Sequence, residues 1–159
     1  MKQREYVRWL RALVVLAGLA LLALVGALVP TLAGEIARSN PELAYLYWPG
    51  VLFVWATAAP VYAALAQAWL VCGSIGAGQA FCQRNVGRLK TMGLCMVIDA
   101  VLYLLAMVLL IAMNLGHPSI LLVILAVVFV GVALAVVFFT LSHLTDKAAA
   151  LQRDQDLTI

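Results

Sequence analysis

The chain has 159 residues, of which 66% are hydrophobic and 11% charged, and it carries a formal net charge of +3. Soluble domains hold roughly 25% charged residues, so water is not the main solvent of this chain and a water-soluble globular domain is excluded. The small positive charge does not point to nucleic acid either, because the basic residues sit where membrane topology puts them.

Four uninterrupted apolar stretches follow one another: Ala12 to Gly34, Tyr45 to Gly73, Met92 to Met113 and Ile120 to Leu141. Each reaches the roughly 20 residues that a helix needs to cross a hydrocarbon core about 30 Å thick. The pattern predicts an all-α fold, a single membrane domain (1–159) built as a four-transmembrane-helix bundle, with spans over 12–34, 45–73, 92–113 and 120–141, a loop over 74–91 and a tail over 142–159. Lys2, Arg4, Arg8 and Arg11 precede the first span as they would a signal peptide. That apolar run exceeds the roughly 7–15 residues of a signal core and no polar domain follows it, so a retained helix is expected. Pro30 lies near one end of the first span, where losing a backbone donor costs little, whereas Pro60 lies near the middle of the second and should kink it.

Nine of the ten Lys and Arg residues fall on one side of these spans: Lys2, Arg4, Arg8, Arg11, Arg84, Arg88, Lys90, Lys147 and Arg153, against Arg38 alone on the other. The positive-inside rule makes the rich side the cytoplasm, with both termini there. Tyr45, Tyr47 and Trp48 then mark the outer interface, and Trp9 and Trp69 the inner one. Small residues four apart, such as Ala59 and Ala63 or Gly131 and Ala135, allow close helix approach. The oligomeric state stays open, a homo-oligomer included.

Between the second and third spans, Phe81, Val86 and Leu89 alternate with Arg84, Asn85, Arg88 and Lys90, as in a short helix lying at the interface. Such a segment reads either as a basic anchor on anionic lipid or as a partner site. Gly73, Gly76 and Gly78 before it lack the spacing and the Lys-Ser/Thr ending of a phosphate loop, so a flexible turn is expected. After the fourth span, Leu141, Leu144, Ala148 and Leu151 keep helical spacing, so the helix should continue beyond the bilayer with His143, Asp146 and Lys147 on its polar face. The last residues, Asp154 to Ile159, break that period and read as a frayed end or as a docking peptide through Leu157, Thr158 and Ile159.

Cys72, Cys82 and Cys95 match no metal-binding or redox spacing, and His117 and His143 fall on opposite sides of the membrane, so no metal or other cofactor is expected. Packing cysteines are expected, with palmitoylation of Cys72 or Cys82 as the alternative. No paired carboxylates and no Ser-His-Asp arrangement can be drawn at one depth, so the chain is not expected to be an enzyme. Asp99 is the one acid inside a span. A charge at that depth costs about 2.5–3.5 kcal/mol on insertion scales, so it should face protein or water. Counting inward from the span ends brings Gln67 and Thr140 to a similar depth, predicting an intramembrane polar cluster of Asp99, Gln67 and Thr140. That cluster either fixes helix register through hydrogen bonds or carries protons or cations.

The stretch Pro60-Val61-Tyr62-Ala63-Ala64-Leu65-Ala66-Gln67, continued by Ile75, Ala80-Phe81-Cys82, Asn85-Val86 and Leu89-Lys90, resembles the bacterial membrane proteins of domain-of-unknown-function family 2975. Their pattern has a Pro-aromatic start, an Ala-Leu pair, an Ala-Phe-Ser turn and a Val-x-x-Leu-Lys segment; Cys82 stands where Ser is usual. The closing Asp156-Leu157-Thr158-Ile159 also resembles that family's ending, and Asp99 has no counterpart in the pattern. The resemblance implies a small multi-pass protein of the bacterial inner membrane without established catalytic activity. It further implies a small helix-turn-helix regulator of the Cro type as a cytoplasmic partner, which this protein would sequester or control. The residues available for that partner, or for lipid, are Arg84, Asn85, Arg88, Lys90, Leu157, Thr158 and Ile159.

Overall fold

A computed structural model describes the backbone of residues 2–156 and the side chains of residues 5–153. Helix α1 (Lys2–Ala23) passes through a π turn (Leu24–Leu28) into α2 (Val29–Ser39), and a 3-10 turn (Pro41–Leu46) leads into α3 (Tyr47–Gly76). Helices α4 (Gln83–Ala112) and α5 (Pro118–Asp156) complete the chain. Four rods result that are long and apolar enough to cross a membrane: Glu5–Ser39, Pro41–Gly76, Gln83–Ala112 and Pro118–Arg153. Among the described residues there is no strand.

Local chemistry explains each interruption. Pro30 cannot donate and its ring crowds the preceding turn; the chain widens just before it, so that the Val29 N–H reaches back to Leu24 O. In that wider turn Val25 O is left without a donor, since the residue five places on is Pro30. The Trp55 indole Nε1 of α3 fills the vacancy, donating to Val25 O at 3.2 Å, while the Thr31 hydroxyl lies 2.9 Å from both Ala27 O and Leu28 O. Asn40 has an extended backbone (φ −132, ψ 84), as a residue before proline prefers, and this ends the first rod.

The two tight connections close in the same way. Gln79 N–H donates to Ser74 O and Gly78 N–H to Ile75 O, and Leu115 N–H donates to Leu110 O and Asn114 N–H to Ile111 O. Both are Schellman turns, with Gly78 at φ +75 and Asn114 at φ 57 as the left-handed residues. The glycine-rich stretch is therefore a hydrogen-bonded cap and not the flexible turn that its composition suggested. The segment from Gln83 to Thr91 is likewise not a separate interfacial helix; it forms the first turns of α4, continuous with the span.

Packing is sequential. Val7 of α1 lies against Gly76 of α3 and Gly18 against Leu65, with the Tyr62 hydroxyl donating to Gly18 O at 3.1 Å. On α4, Tyr103 meets Phe53 edge-on at 5.4 Å between ring centroids and its hydroxyl lies 3.4 Å from that of Thr57. Ala64 joins Met92, Cys95, Met96 and Ala135 in the largest buried cluster, and Ala100 joins Ile124 and Val128 in a second. Along α4 and α5, Gly93 faces the Phe139 ring, Gly131 faces Ala100, and the fully buried Ser142 hydroxyl donates to Val86 O at 3.0 Å. Among the described residues no Cα of α1 comes within 8 Å of α4 or α5, and none of α3 within 8 Å of α5. The four-helix domain is thus an open row, α1/α2, α3, α4, α5, and its alternating directions bring the first residues of α1 and the last of α5 to the same end.

Candidate functional site

Two polar places stand out in this apolar row, one within the spans and one at the end where α1 begins and α5 ends. Within the spans, Asp99 sits about sixteen residues into α4, about 24 Å along the helix from Gln83. Its Oδ1 is enclosed and has no hydrogen-bond partner among the described residues. The register of the α3–α4 seam, with Thr57 opposite Tyr103 and Ala64 within the Met92–Met96 layer, puts Asp99 at the level of Pro60 and Val61. The structure does not assemble the cluster expected with Gln67 and Thr140. With Ala64 in the Met92–Met96 layer and Phe139 at Gly93, Gln67 lies about 9 Å and Thr140 about 10 Å along the helices from Asp99. Thr140 is exposed and donates to its own helix, to Val136 O at 2.8 Å. Counting from span ends misplaced them because α4 starts well before Met92 and the small residues Gly93, Ala100 and Gly131 set the register of α5.

At the terminal end, the four residues picked from the loop divide into two kinds. Asn85 is 1% exposed; its side-chain amide donates to Ala80 O at 3.0 Å and Gln79 O at 3.3 Å. Arg88 donates through Nη1 to Leu70 O (2.9 Å), the Ser74 hydroxyl (2.7 Å) and Asn85 Oδ1 (3.1 Å), and so satisfies the carbonyl end of α3. These two hold the connection between α3 and α4 together. Arg84 and Lys90 are exposed and remain available. Leu157, Thr158 and Ile159 lie outside the described residues.

The extension of α5 has two faces. Ser142 and Ala149 are its buried positions, whereas Leu144 and Leu151, seven residues apart, are 55% and 67% exposed. The leucine stripe visible in the sequence is therefore not the face that packs on the protein.

Sequence reasoning missed a third feature. Val7, Arg8, Arg11, Gly73 and Gly76 line a cleft between α1 and α3, in which the Arg11 guanidinium lies 5.1 Å from the centre of the Trp69 ring and its enclosed Nε has no partner among the described residues. Arg11 immediately before the first span and Trp69 near the end of the second were visible, but nothing in the sequence paired them. Cys72, Cys82 and Cys95 are free thiols, and among the described residues no three His, Cys, Asp or Glu side chains gather as a metal site would require.

The family model described as a protein of unknown function, DUF2975, matches residues 31–159, from α2 onward. The uncharacterized membrane protein YoaS of Bacillus subtilis (strain 168) is 31% identical over 153 residues, which cover 95% of this chain and 96% of that one. No solved structure matches the chain. With four membrane-length apolar helices and a relative of the same length that is itself a membrane protein, this small membrane protein belongs to the DUF2975 family.

Proposed function

We propose that the protein is a membrane partner that holds a small helix-turn-helix regulator at the cytoplasmic side of the bacterial inner membrane, where both termini lie. The observation that carries this reading is the α5 extension. At 1.5 Å per residue the 39 residues of α5 are about 58 Å long, nearly twice the hydrocarbon thickness. With Ile120 to Leu141 in the core, residues 142–156 continue for about 22 Å outside it. Leu144 and Leu151 are exposed on that projection, with Ala148 between them on the same face. Full burial of each leucine in a groove of a soluble partner is worth about 1.5–3 kcal/mol, and this spacing is the one by which helices dock into grooves. Exposed Arg84 and Lys90 on the adjoining turn of α4 favour a partner acidic at that point.

The test is purification from native membranes in mild detergent, with the co-purified protein assayed for sequence-specific DNA binding. Wild type should retain a stoichiometric DNA-binding partner; Leu144→Asp/Leu151→Asp should lose it with an unchanged melting temperature. Removing residues 154–159 reports separately whether Leu157, Thr158 and Ile159 contribute. A partner held equally by all three proteins, or no DNA-binding partner with any of them, refutes the reading.

A second reading is favoured by the partnerless Oδ1 of Asp99. Ionisable residues inside spans mark ion and proton pathways by default, and on this reading Asp99 is the exchange group of a small proton- or cation-linked transporter. Its test is ion flux in liposomes, considered below.

A further inference from the structure

The cleft between α1 and α3 continues along the outside of α1. On one side of Arg11 its walls are polar, with Arg8 exposed at the mouth and the glycines Gly73 and Gly76 as its floor. A β-carbon at Gly73 would come within 3.2 Å of Arg11 Nη2, and one at Gly76 within 3.2 Å of Val7 Cγ1, so the two glycines let α1 and the guanidinium lie close to α3. On the other side of Arg11 the cleft runs into an almost wholly apolar groove lined by Ala12, Val15, Leu16, Leu19 and Trp69. From Arg11 to Leu19 is about 12 Å along the helix, most of the roughly 15 Å depth of one leaflet's hydrocarbon.

We infer that this composite cleft is a binding site for one anionic phospholipid, its phosphate held by Arg8 and Arg11 and one acyl chain lying in the groove beside Trp69. Three observations converge on that occupant. A guanidinium is a planar fork of donors matched to phosphate oxygens, and Arg11 lines the cleft with its guanidinium while its enclosed Nε has no partner among the described residues. The cation–π contact with the Trp69 ring favours this position of the guanidinium before a ligand arrives. Finally, the polar and apolar parts share Arg11 and run in the order of a phospholipid, headgroup toward the chain termini and hydrocarbon toward the bilayer centre. Free phosphate would use the first part only. Basic pockets between spans are where membrane proteins hold anionic headgroups.

Native mass spectrometry of the full-length protein in mild detergent tests this. The protein is titrated with phosphatidylglycerol, with phosphatidylcholine and with inorganic phosphate. Wild type should bind one phosphatidylglycerol, in preference to phosphatidylcholine, and millimolar inorganic phosphate should not displace it. Arg8→Gln/Arg11→Gln should weaken binding by roughly 30-fold, about fivefold per cation at an anionic surface. Leu16→Trp, which fills the groove and leaves both arginines in place, should weaken it as well, whereas Arg84→Gln/Lys90→Gln should leave it unchanged. Should the double arginine variant melt early, Arg11→Lys, which keeps the charge but loses the fork, replaces it and should still bind more weakly than wild type. Equal binding of the two lipids, inorganic phosphate binding as tightly as phosphatidylglycerol, or indifference to Leu16→Trp overturns the assignment.

Discussion

Gly93 is where the α4–α5 seam is tightest, and Gly93→Ala probes it with two effects of opposite sign. A β-carbon there would lie 3.0–3.1 Å from three atoms of the Phe139 ring, tighter than most real β-carbon contacts, so one helix or the ring must move by a few tenths of an ångström. Three adjacent ring atoms are engaged, not the tip of a flexible chain, so the ring must shift as a unit. Overpacking of this kind costs about 1–3 kcal/mol. Replacing an interior helix glycine by alanine returns up to about 1 kcal/mol. Phe139 is 41% exposed and has somewhere to go, which keeps the cost below the top of that range, at about 2 kcal/mol. The net expectation is destabilisation of about 1 kcal/mol, read from equilibrium unfolding in mixed detergent micelles. In a Phe139→Leu background the clash is removed and the same substitution should become neutral or stabilising, giving a coupling energy of at least about 1 kcal/mol in the double-mutant cycle. Equal destabilisation in both backgrounds would refute the packing argument.

For topology, a cysteine at Ser39 in a background lacking Cys72, Cys82 and Cys95 should react with an impermeant thiol reagent in intact cells, and one at Gln152 should not; the reverse pattern puts the basic end outside. Asp99→Asn keeps size and hydrogen-bonding capacity, so the melting temperature should hold; on the transport reading, proton or cation flux in liposomes should vanish with it, and a wild-type protein without flux under any imposed gradient ends that reading. Trp55→Phe removes the donor to Val25 O and should cost about 0.6–1.7 kcal/mol, the range measured for hydrogen bonds between membrane helices. With Pro30→Ala a backbone N–H is restored five residues from Val25, and the cost of Trp55→Phe should disappear; persistence of the full cost means that the indole acts through packing instead.

Hydropathy made the spans legible because each is an unbroken apolar run, and the cap residues of the short connections, Gly78 and Asn114, are of the types that helix ends favour. The relative depth of side chains was not legible. Depth follows from which small residues interlock, Gly93 with Phe139 and Gly131 with Ala100, and one alanine-rich span offers many equivalent choices. Thr140 was therefore assigned to Asp99 although its hydroxyl bonds its own helix. Arg88 and Asn85 looked like an exposed basic patch for a similar reason: the sequence shows their charge and polarity, but not the open carbonyls of α3 that they satisfy. Arg11 and Trp69, at the ends of different spans, become a pair only once α1 and α3 lie side by side.

The row arrangement bears on how the chain reaches its native state. Each helix rests on the one made just before it, so every seam joins neighbours in the chain and can form as soon as the second helix of a pair leaves the ribosome. No step waits for a distant segment, which is the condition for fast, local assembly. Stability is then passed along in nearest-neighbour steps, as in solenoid proteins, and is graded across the molecule. The α4–α5 seam, with its buried Ser142, Ala135 and Val128, should be the last to separate under force or denaturant. Helix α1, held mainly by glycine contacts and the Tyr62 hydroxyl, should peel away first and leave the other three behind.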